Sequence, residues 1–446
     1  MKLASACALL VALVAAAAPS TKANVAAALY QTYPGTASCP GCRDGVCPNQ
    51  TAQAACETNT AIVDHVKASL AACAADVASN VTEFAIGHRG AMQLLPEHSM
   101  ESYAAAIEQG AGFVECDVAP TMDGELVCRH SSCDLATTTN ILETDLAEKC
   151  SVPFTPGTGD ADDVPAEVKC CTYDITLDEY KTLCAIQEPP FNAAATELSD
   201  ALGNAPGFRS SHLECATPVT HAESAAMIAE AGRGLVPELK DCDEECQAAV
   251  GMSLFELADK LAMEVAEAAD ANSVPSTLQS FDIDVAVHWQ TNSSSKSNGT
   301  RVVFLYAPTT VGGTQTWDEV EAAAEAGIPL LGSPIQTMVC AVDGVMQACE
   351  MAINATEMGF TFTPWTLERS SCSDGAIAGP CGYYFGGHEG VTASTYTDTL
   401  LMQYALLHDV EGVEGVFSDL PVTTVVIANC VPPMNATNGG SAKGEK

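Results

Sequence analysis

From residue 84 to residue 417, short apolar runs alternate with longer segments of helical spacing. That alternation constrains the fold more than any other feature of the chain. The strand-like runs lie at 84–87, 112–118, 126–129, 235–239, 277–281, 302–306, 328–331, 361–365 and 413–417. Helical patterns fall between many of them, at 100–109, 222–231, 254–268, 317–326 and 397–408. A strand followed by a helix crosses back to a parallel neighbour. About eight such units close on themselves, so the reading is an α/β chain built on a (β/α)8 TIM barrel over residues 81–430. A doubly wound open sheet is the alternative. No GxGxxG follows the first run and no GxxxxGK[ST] occurs anywhere, which weakens nucleotide-binding versions of either fold.

Three stretches break the rhythm. Residues 1–23 have the layout of a cleaved secretory signal: Lys2, an Ala-rich apolar run to Ala18, then Pro19 and small residues. The run is short for a membrane span, and no later segment is uninterruptedly apolar over that length. Residues 24–80 form a Cys-rich N-terminal extension with helical spacing at 61–77. Residues 142–211 carry Pro153, Pro156, Gly157, the acidic run 160–163 and the pair Cys170–Cys171, and read as a disulfide-braced insertion over one barrel face. The tail 431–446 is polar and is expected to be flexible.

The cysteines agree with export. There are 21, and Cys7 lies in the signal, which leaves an even 20 for disulfides. Cys39 and Cys42 form a CxxC, but a second pair at zinc-finger spacing is missing. Cys116 and Cys128 sit inside predicted strands and read as plain buried thiols. Six N-glycosylation sequons, at Asn49, Asn80, Asn292, Asn298, Asn354 and Asn435, suggest a secreted glycoprotein, extracellular, in a cell wall or in an endomembrane lumen.

The formal charge of −39, from 57 acidic and 18 basic side chains, argues against nucleic acid as a partner. It also disfavours an anionic substrate unless something local offsets the repulsion, and a metal ion would do so.

The chemistry concentrates in residues 86–140. The block reads IGHRG at 86–90, PEHS at 96–99, FVECDV at 113–118, TMDGELVCRH at 121–130 and TTTN at 137–140. Side chains two apart on a strand share a face, so Glu115 and Asp117 point the same way at a strand's carboxyl end, where barrel active sites sit. His88 and Arg89 end the first run and His130 ends a third. PELK at 237–240 places Glu238 and Lys240 together on another strand end. Three carboxylates aimed at one mouth repel, and a hard cation bound through oxygen relieves that; the ligand type favours Ca²⁺ or Mg²⁺ over zinc. Two histidines suit acid–base work near neutral pH, and Arg89 and Lys240 suit non-bridging phosphate oxygens. Alone, each residue is more often ordinary: a capped strand-end His, a solvated acidic pair, a local Glu–Lys ion pair. Their joint occurrence at successive strand ends gives them weight.

This ordered series resembles the glycerophosphodiester phosphodiesterase family. Its pattern runs HRG, PEN or PEH, ExD, TxDG and a strand-ending His. The likeness is dense over 87–139, with echoes at PELK (237–240), SFD (280–282), PWT (364–366) and GVFSDLP (415–421). The resemblance implies a barrel with one divalent cation, Ca²⁺ or Mg²⁺, held by Glu115, Asp117 and Glu238. It implies His88 and His130 as the catalytic pair, and Arg89, Lys240 and Trp365 as substrate contacts. The implied substrate is a small glycerophosphodiester. Departures are His98 for the commoner Asn, Ser131 after His130 where many relatives have Asp, and Met122 for Lys in TxDG; none removes a proposed ligand or acid–base group. Rival readings are a lipid phosphodiesterase of the sphingomyelinase D type and a non-catalytic secreted binding protein on the same fold.

Overall fold

A computed structural model of the chain describes residues 47–434, apart from 79, 159–163, 205–208, 210–212, 292–295, 298, 310–312 and 369–395. The expected signal, Cys39, Cys42 and the expected tail beyond residue 434 lie outside the described residues, as do Asn292, Asn298 and Asn435.

Strands β1 (Thr82–Gly87), β2 (Ala111–Val114), β3 (Asp117–Pro120) and β4 (Leu126–Cys128) come first. A small hairpin, β5 (Val152–Thr155) and β6 (Glu167–Lys169), follows. Next are β7 (Gly234–Leu235), β8 (Glu238–Leu239), β9 (Thr277–Ser280), β10 (Arg301–Leu305) and β11 (Leu330–Gly332). A second hairpin, β12 (Val339–Val342) and β13 (Val345–Ala348), precedes β14 (Thr361–Phe362) and β15 (Val416–Ser418). The helices of eight or more residues are α1 (Gln50–Ala72), α2 (Met100–Gln109), α3 (His221–Glu230), α4 (Leu254–Asn272), α5 (Ile283–Thr291), α6 (Trp317–Glu325), α7 (Glu350–Glu357), α8 (Tyr396–His408) and α9 (Pro421–Cys430).

The strands form two main ladders, ordered β15-β1-β2-β7 and β14-β11-β10-β9-β8-β3-β4. Every pairing in them is parallel except β3 with β4. β2 and β3 are two halves of one strand position, interrupted at Glu115 and Cys116; β7 and β8 are halves of another, interrupted at Val236 and Pro237. One half of each sits in each ladder. The ladders do not run on as a continuous ring, but isolated parallel bridges, Leu235↔Ser276 and Phe362↔Val413, join their ends. This is an α/β TIM-barrel arrangement with eight parallel strand positions in chain order.

The layers follow from side-chain alternation along the strands. Ile86, Val236, Phe417, Val303, Leu305 and Leu330 pack only against other strand or strand-end residues, including Phe113, Phe281 and Trp365, and so fill the barrel interior. Val114, Leu235, Leu278, Phe304 and Leu331 face the other way, onto helix residues such as Leu257, Leu261, Val265 and Trp289. Helix starts are set locally by capping boxes at Thr220/Glu223, Ser253/Glu256 and Thr316/Glu319, each a Ser or Thr with Glu three residues on.

Before the barrel, α1 is capped by the Asn49 side chain. It buries Ile62, Val63, Val66 and Leu70 against Leu400, Leu401 and Tyr404 of α8 and Val426 and Ile427 of α9. The Cys73–Cys430 disulfide ties its end to the end of α9.

Two expectations need correction. The run at 126–129 is not a barrel strand: β4 folds back antiparallel on β3, because the turn at 121–125 is far too short for a parallel crossover. That fold-back also corrects the reading of Cys116 and Cys128 as free thiols. They lie 5.5 Å apart at Cα and form a disulfide. Between β4 and α3 the chain leaves the alternation, forms the β5–β6 hairpin, and is braced by Cys133–Cys171, Cys150–Cys170 and Cys184–Cys215.

Candidate active site

At the carboxyl end of β1 the chain turns sharply. Arg89 adopts φ 54°, a left-handed conformation that a non-glycine residue reaches only at a cost of about 1 kcal/mol or more. Gly90 follows at φ 89°, where an added Cβ would stand 2.4 Å from Ser102 Oγ, so only glycine fits. The turn leaves His88 and Arg89 at the barrel mouth. Pro96–Ser99 then starts α2, with the Ser99 hydroxyl accepting from the Ser102 N–H at 3.2 Å. That cap sets Glu97 and His98 immediately beneath the turn.

The eight residues singled out from the sequence come together. His88, Arg89, Glu115, Asp117, His130, Glu238, Lys240 and Trp365 all line one cavity of about 390 Å³, with Gln279, Phe281, Leu305 and Phe417 completing it. The break between β2 and β3 puts Glu115 and Asp117 at the mouth, and the register pairs Asp117 directly with Glu238 and Glu238 with Gln279. An adjoining groove of about 1250 Å³ shares His130, Glu238, Lys240 and Phe281, and is edged by Asp241, Asp282, Asp284 and Glu319.

The charges are buried and interlocked. Glu115 accepts the Arg89 backbone N–H at 2.6 Å. Arg89 Nη1 donates to Glu97 Oε1 at 2.8 Å, and its Nε lies 3.2 Å from Asp117 Oδ2. Lys240 Nζ is 2.6 Å from Glu238 Oε1 and 3.3 Å from Asp117 Oδ1. Lys240 also lies 5.8 Å from the Phe281 ring centre, and Phe281 meets Trp365 edge-on.

Burial and these neighbours push the carboxyls apart. Burial, reinforced by Asp117, raises Glu115 well above the usual carboxylate range. For Asp117 burial acts in the same sense, but Lys240, His98 and Arg89 outweigh it and hold it well below that range. Burial raises Glu238 from 4.5 to about 8 despite Lys240. Burial, then Arg89 and Lys240, lower His130 well below its ordinary value. Burial opposes the charge on Lys240, and Asp117 and Glu238 more than restore it.

Sequence reasoning left three partners unassigned. Asp419 Oδ1 lies 2.6 Å from His88 Nδ1, which fixes the ring and leaves Nε2 for the cavity. Glu97 holds Arg89. His98, fully buried, bridges Tyr103 Oη (2.9 Å) and Asp117 Oδ2 (2.9 Å). The signals were present in PEHS and in SDLP at 418–421, but not the pairing.

The donor set fits a divalent cation. Among the described residues, the ligand-type atoms of His98, Glu115 and Asp117 lie within 4.8 Å of one another. Glu238 lines the same cavity but is turned to Lys240. Two of the three carboxyls stand well above their usual pKa, the signature of a site that a bound positive charge would relieve.

The profile of the Glycerophosphoryl diester phosphodiesterase family matches residues 88–423. The chain belongs to that family. Among curated relatives, a probable glycerophosphodiester phosphodiesterase 1 of Mycobacterium tuberculosis is 51% identical over 47 residues, 10% of this chain and 17% of that protein. A glycerophosphodiester phosphodiesterase of Arabidopsis thaliana is 36% identical over 110 residues, 24% of this chain and 27% of its own length. These matches thus span under a third of either relative. A protein of Arthroderma benhamiae described as extracellular is 25% identical over 244 residues, 54% of this chain and 98% of that one. A solved structure described as a glycerophosphoryl diester phosphodiesterase from Silicibacter pomeroyi aligns over 78% of this chain and 94% of its own, at 17% identity and a TM-score of 0.48.

Proposed function

We propose that the chain hydrolyses small glycerophosphodiesters to glycerol phosphate and an alcohol, with a divalent cation, Ca²⁺ or Mg²⁺, in the barrel mouth. The observation that carries this is the convergence of Glu115, Asp117, Glu238, His88, His130, Arg89 and Lys240 on one cavity. Glu115, Asp117 and Glu238 would hold the cation, and His98 orients Asp117 from behind. A cation held there would supply polarisation of the phosphoryl oxygens and offset the charge that develops on them.

The chain's own groups do the rest. Arg89 and Lys240 bind and orient the phosphate, and Trp365 and Phe281 wall the cavity. The nucleophile, the glycerol 2-hydroxyl or water, attacks phosphorus; one of His88 and His130 accepts its proton while the other protonates the leaving alkoxide, and where the 2-hydroxyl attacks, water then opens the cyclic phosphate to glycerol phosphate. The adjoining groove gives the departing alcohol room. Seven disulfides among the described residues and the likeness to an extracellular protein support an exported chain. No helix among the described residues is long and apolar enough to cross a membrane.

The test is product analysis. Purified protein acting on glycerophosphocholine is expected to release glycerol phosphate and choline in equal amounts. Release of phosphocholine and glycerol, or no release with any divalent ion, would contradict the reading.

A further inference from the structure

We infer that the disulfide-braced excursion between β6 and α3 supplies a positioning residue, Arg209, to the phosphate end of the site; the inference rests on the phosphodiesterase reading above. Arg209 lies far from the barrel strands in sequence, yet its side chain is only 5% exposed. Its Nη1 stands 3.4 Å from Glu97 Oε2 and 3.4 Å from Glu188 Oε2. The other Glu97 oxygen accepts from Arg89 Nη1. An ion network therefore runs from Glu188 through Arg209, Glu97 and Arg89 to Asp117.

The burial of Glu97 explains why the second guanidinium matters. At 1% exposure Glu97 has little water to solvate it, so its charge depends on its partners. Arg89 feels four carboxyls, Glu97, Asp117, Glu115 and Glu188, and Lys240 is paired with Asp117 and Glu238. Arg209 adds the second positive charge and engages the Glu97 oxygen that Arg89 does not. With both oxygens held, Glu97 cannot rotate, and Arg89 keeps one orientation toward the cavity. At 3.4 Å the Arg209 contact is an ion pair rather than a short charge-assisted hydrogen bond, so its influence is moderate.

A disulfide braces the excursion internally, and one further contact fixes it to the site. The Cys184–Cys215 disulfide closes a loop that contains both Glu188 and Arg209. Gln187 Nε2 donates to the Met92 carbonyl at 2.8 Å, just past the turn that carries Arg89.

The experiment compares Arg209→Gln, Arg209→Lys and Glu188→Gln in the full chain with saturating Ca²⁺ or Mg²⁺. It reads kcat and KM on glycerophosphocholine, glycerol 3-phosphate binding by calorimetry, and folding by circular dichroism. Arg209→Gln is expected to raise KM and weaken product binding about tenfold, with a smaller change in kcat. Arg209→Lys should recover most of that, because a point charge suffices at this separation. Glu188→Gln should shift both in the same direction by less. Wild-type KM and product affinity in a folded Arg209→Gln would overturn the inference. If that variant does not fold, wild-type constants in Glu188→Gln would overturn it instead. A wild-type chain that binds no glycerol 3-phosphate would remove the underlying reading, and the inference with it.

Discussion

Both ends of the barrel open into cavities, and the one at the amino end is larger than the charge-lined cavity at the carboxyl end, though smaller than the groove that adjoins it. At the amino end a cavity of about 660 Å³ is lined by Ile86, Phe113, Val236 and Leu330, with Arg301 and Glu414 at its rim. Arg301 donates to both Glu414 oxygens, one contact at 2.9 Å, and holds that carboxyl below its usual range. Both side chains are about two-fifths exposed. At the carboxyl end the cavity is about 390 Å³, and three buried carboxyls, two histidines and two cations face into it. The amino end resolves its charges locally and in water. The carboxyl end keeps them buried and in competition, and that separates a site from a void better than volume does.

The sharpest way to break this contrast is to remove the acid–base pair. His88→Ala or His130→Ala is expected to lower kcat by about 10²–10⁴ with the melting temperature little changed. A His130→Ala variant of unchanged activity would overturn the assignment. Next is the cation: Glu115→Gln should weaken Ca²⁺ or Mg²⁺ binding about a hundredfold by calorimetry, in keeping with the cost of disturbing metal-site residues. Binding unchanged in that variant would exclude Glu115 as a ligand.

A third test sits behind the carboxyl end. Burial raises Glu368 from 4.5 to about 7, although Ser418, Thr423 and Gln403 donate hydrogen bonds to it. The folded chain therefore binds this proton more tightly than the unfolded chain. The resulting stability is full below the unfolded pKa near 4.5, falls as pH rises toward 7, and stays lost above it. Glu368→Gln should flatten that slope and raise stability at pH 8 by roughly 1–2 kcal/mol in denaturant unfolding. An unchanged slope would contradict the assignment. Smallest of all is Arg301→Ala at the amino end, where an exposed pair is worth about 1 kcal/mol or less and activity should not move. A large loss of activity there would collapse the distinction between the two ends.

How much of this was legible in the sequence depends on the range of the contact. The strand positions of the ring show as apolar runs because both of their faces are buried. The interruptions at Glu115–Cys116 and Val236–Pro237 are marked only by Glu115 and Pro237, and the runs 112–118 and 235–239 otherwise read as single strands across them. α9, almost wholly buried, carries no amphipathic period to find. The eight candidate residues that line the carboxyl-end cavity could be gathered from the sequence because strand-end placement and i, i+2 spacing are local. Their supports were not: Asp419 reaches His88 across 331 residues, Arg209 reaches Glu97 across 112, and the Cys116–Cys128 bond depends on a hairpin whose direction the alternation misreads.

The central claim is that the carboxyl-end cavity performs divalent-ion-assisted phosphodiester cleavage. The direct measurement is turnover of glycerophosphocholine by the purified chain before chelation, after chelation, and after Ca²⁺ or Mg²⁺ is returned. The account predicts activity that chelation abolishes and one of these ions restores. Activity indifferent to chelator would contradict the role given to Glu115, Asp117 and Glu238, and no activity under any of the three conditions would contradict the reaction itself.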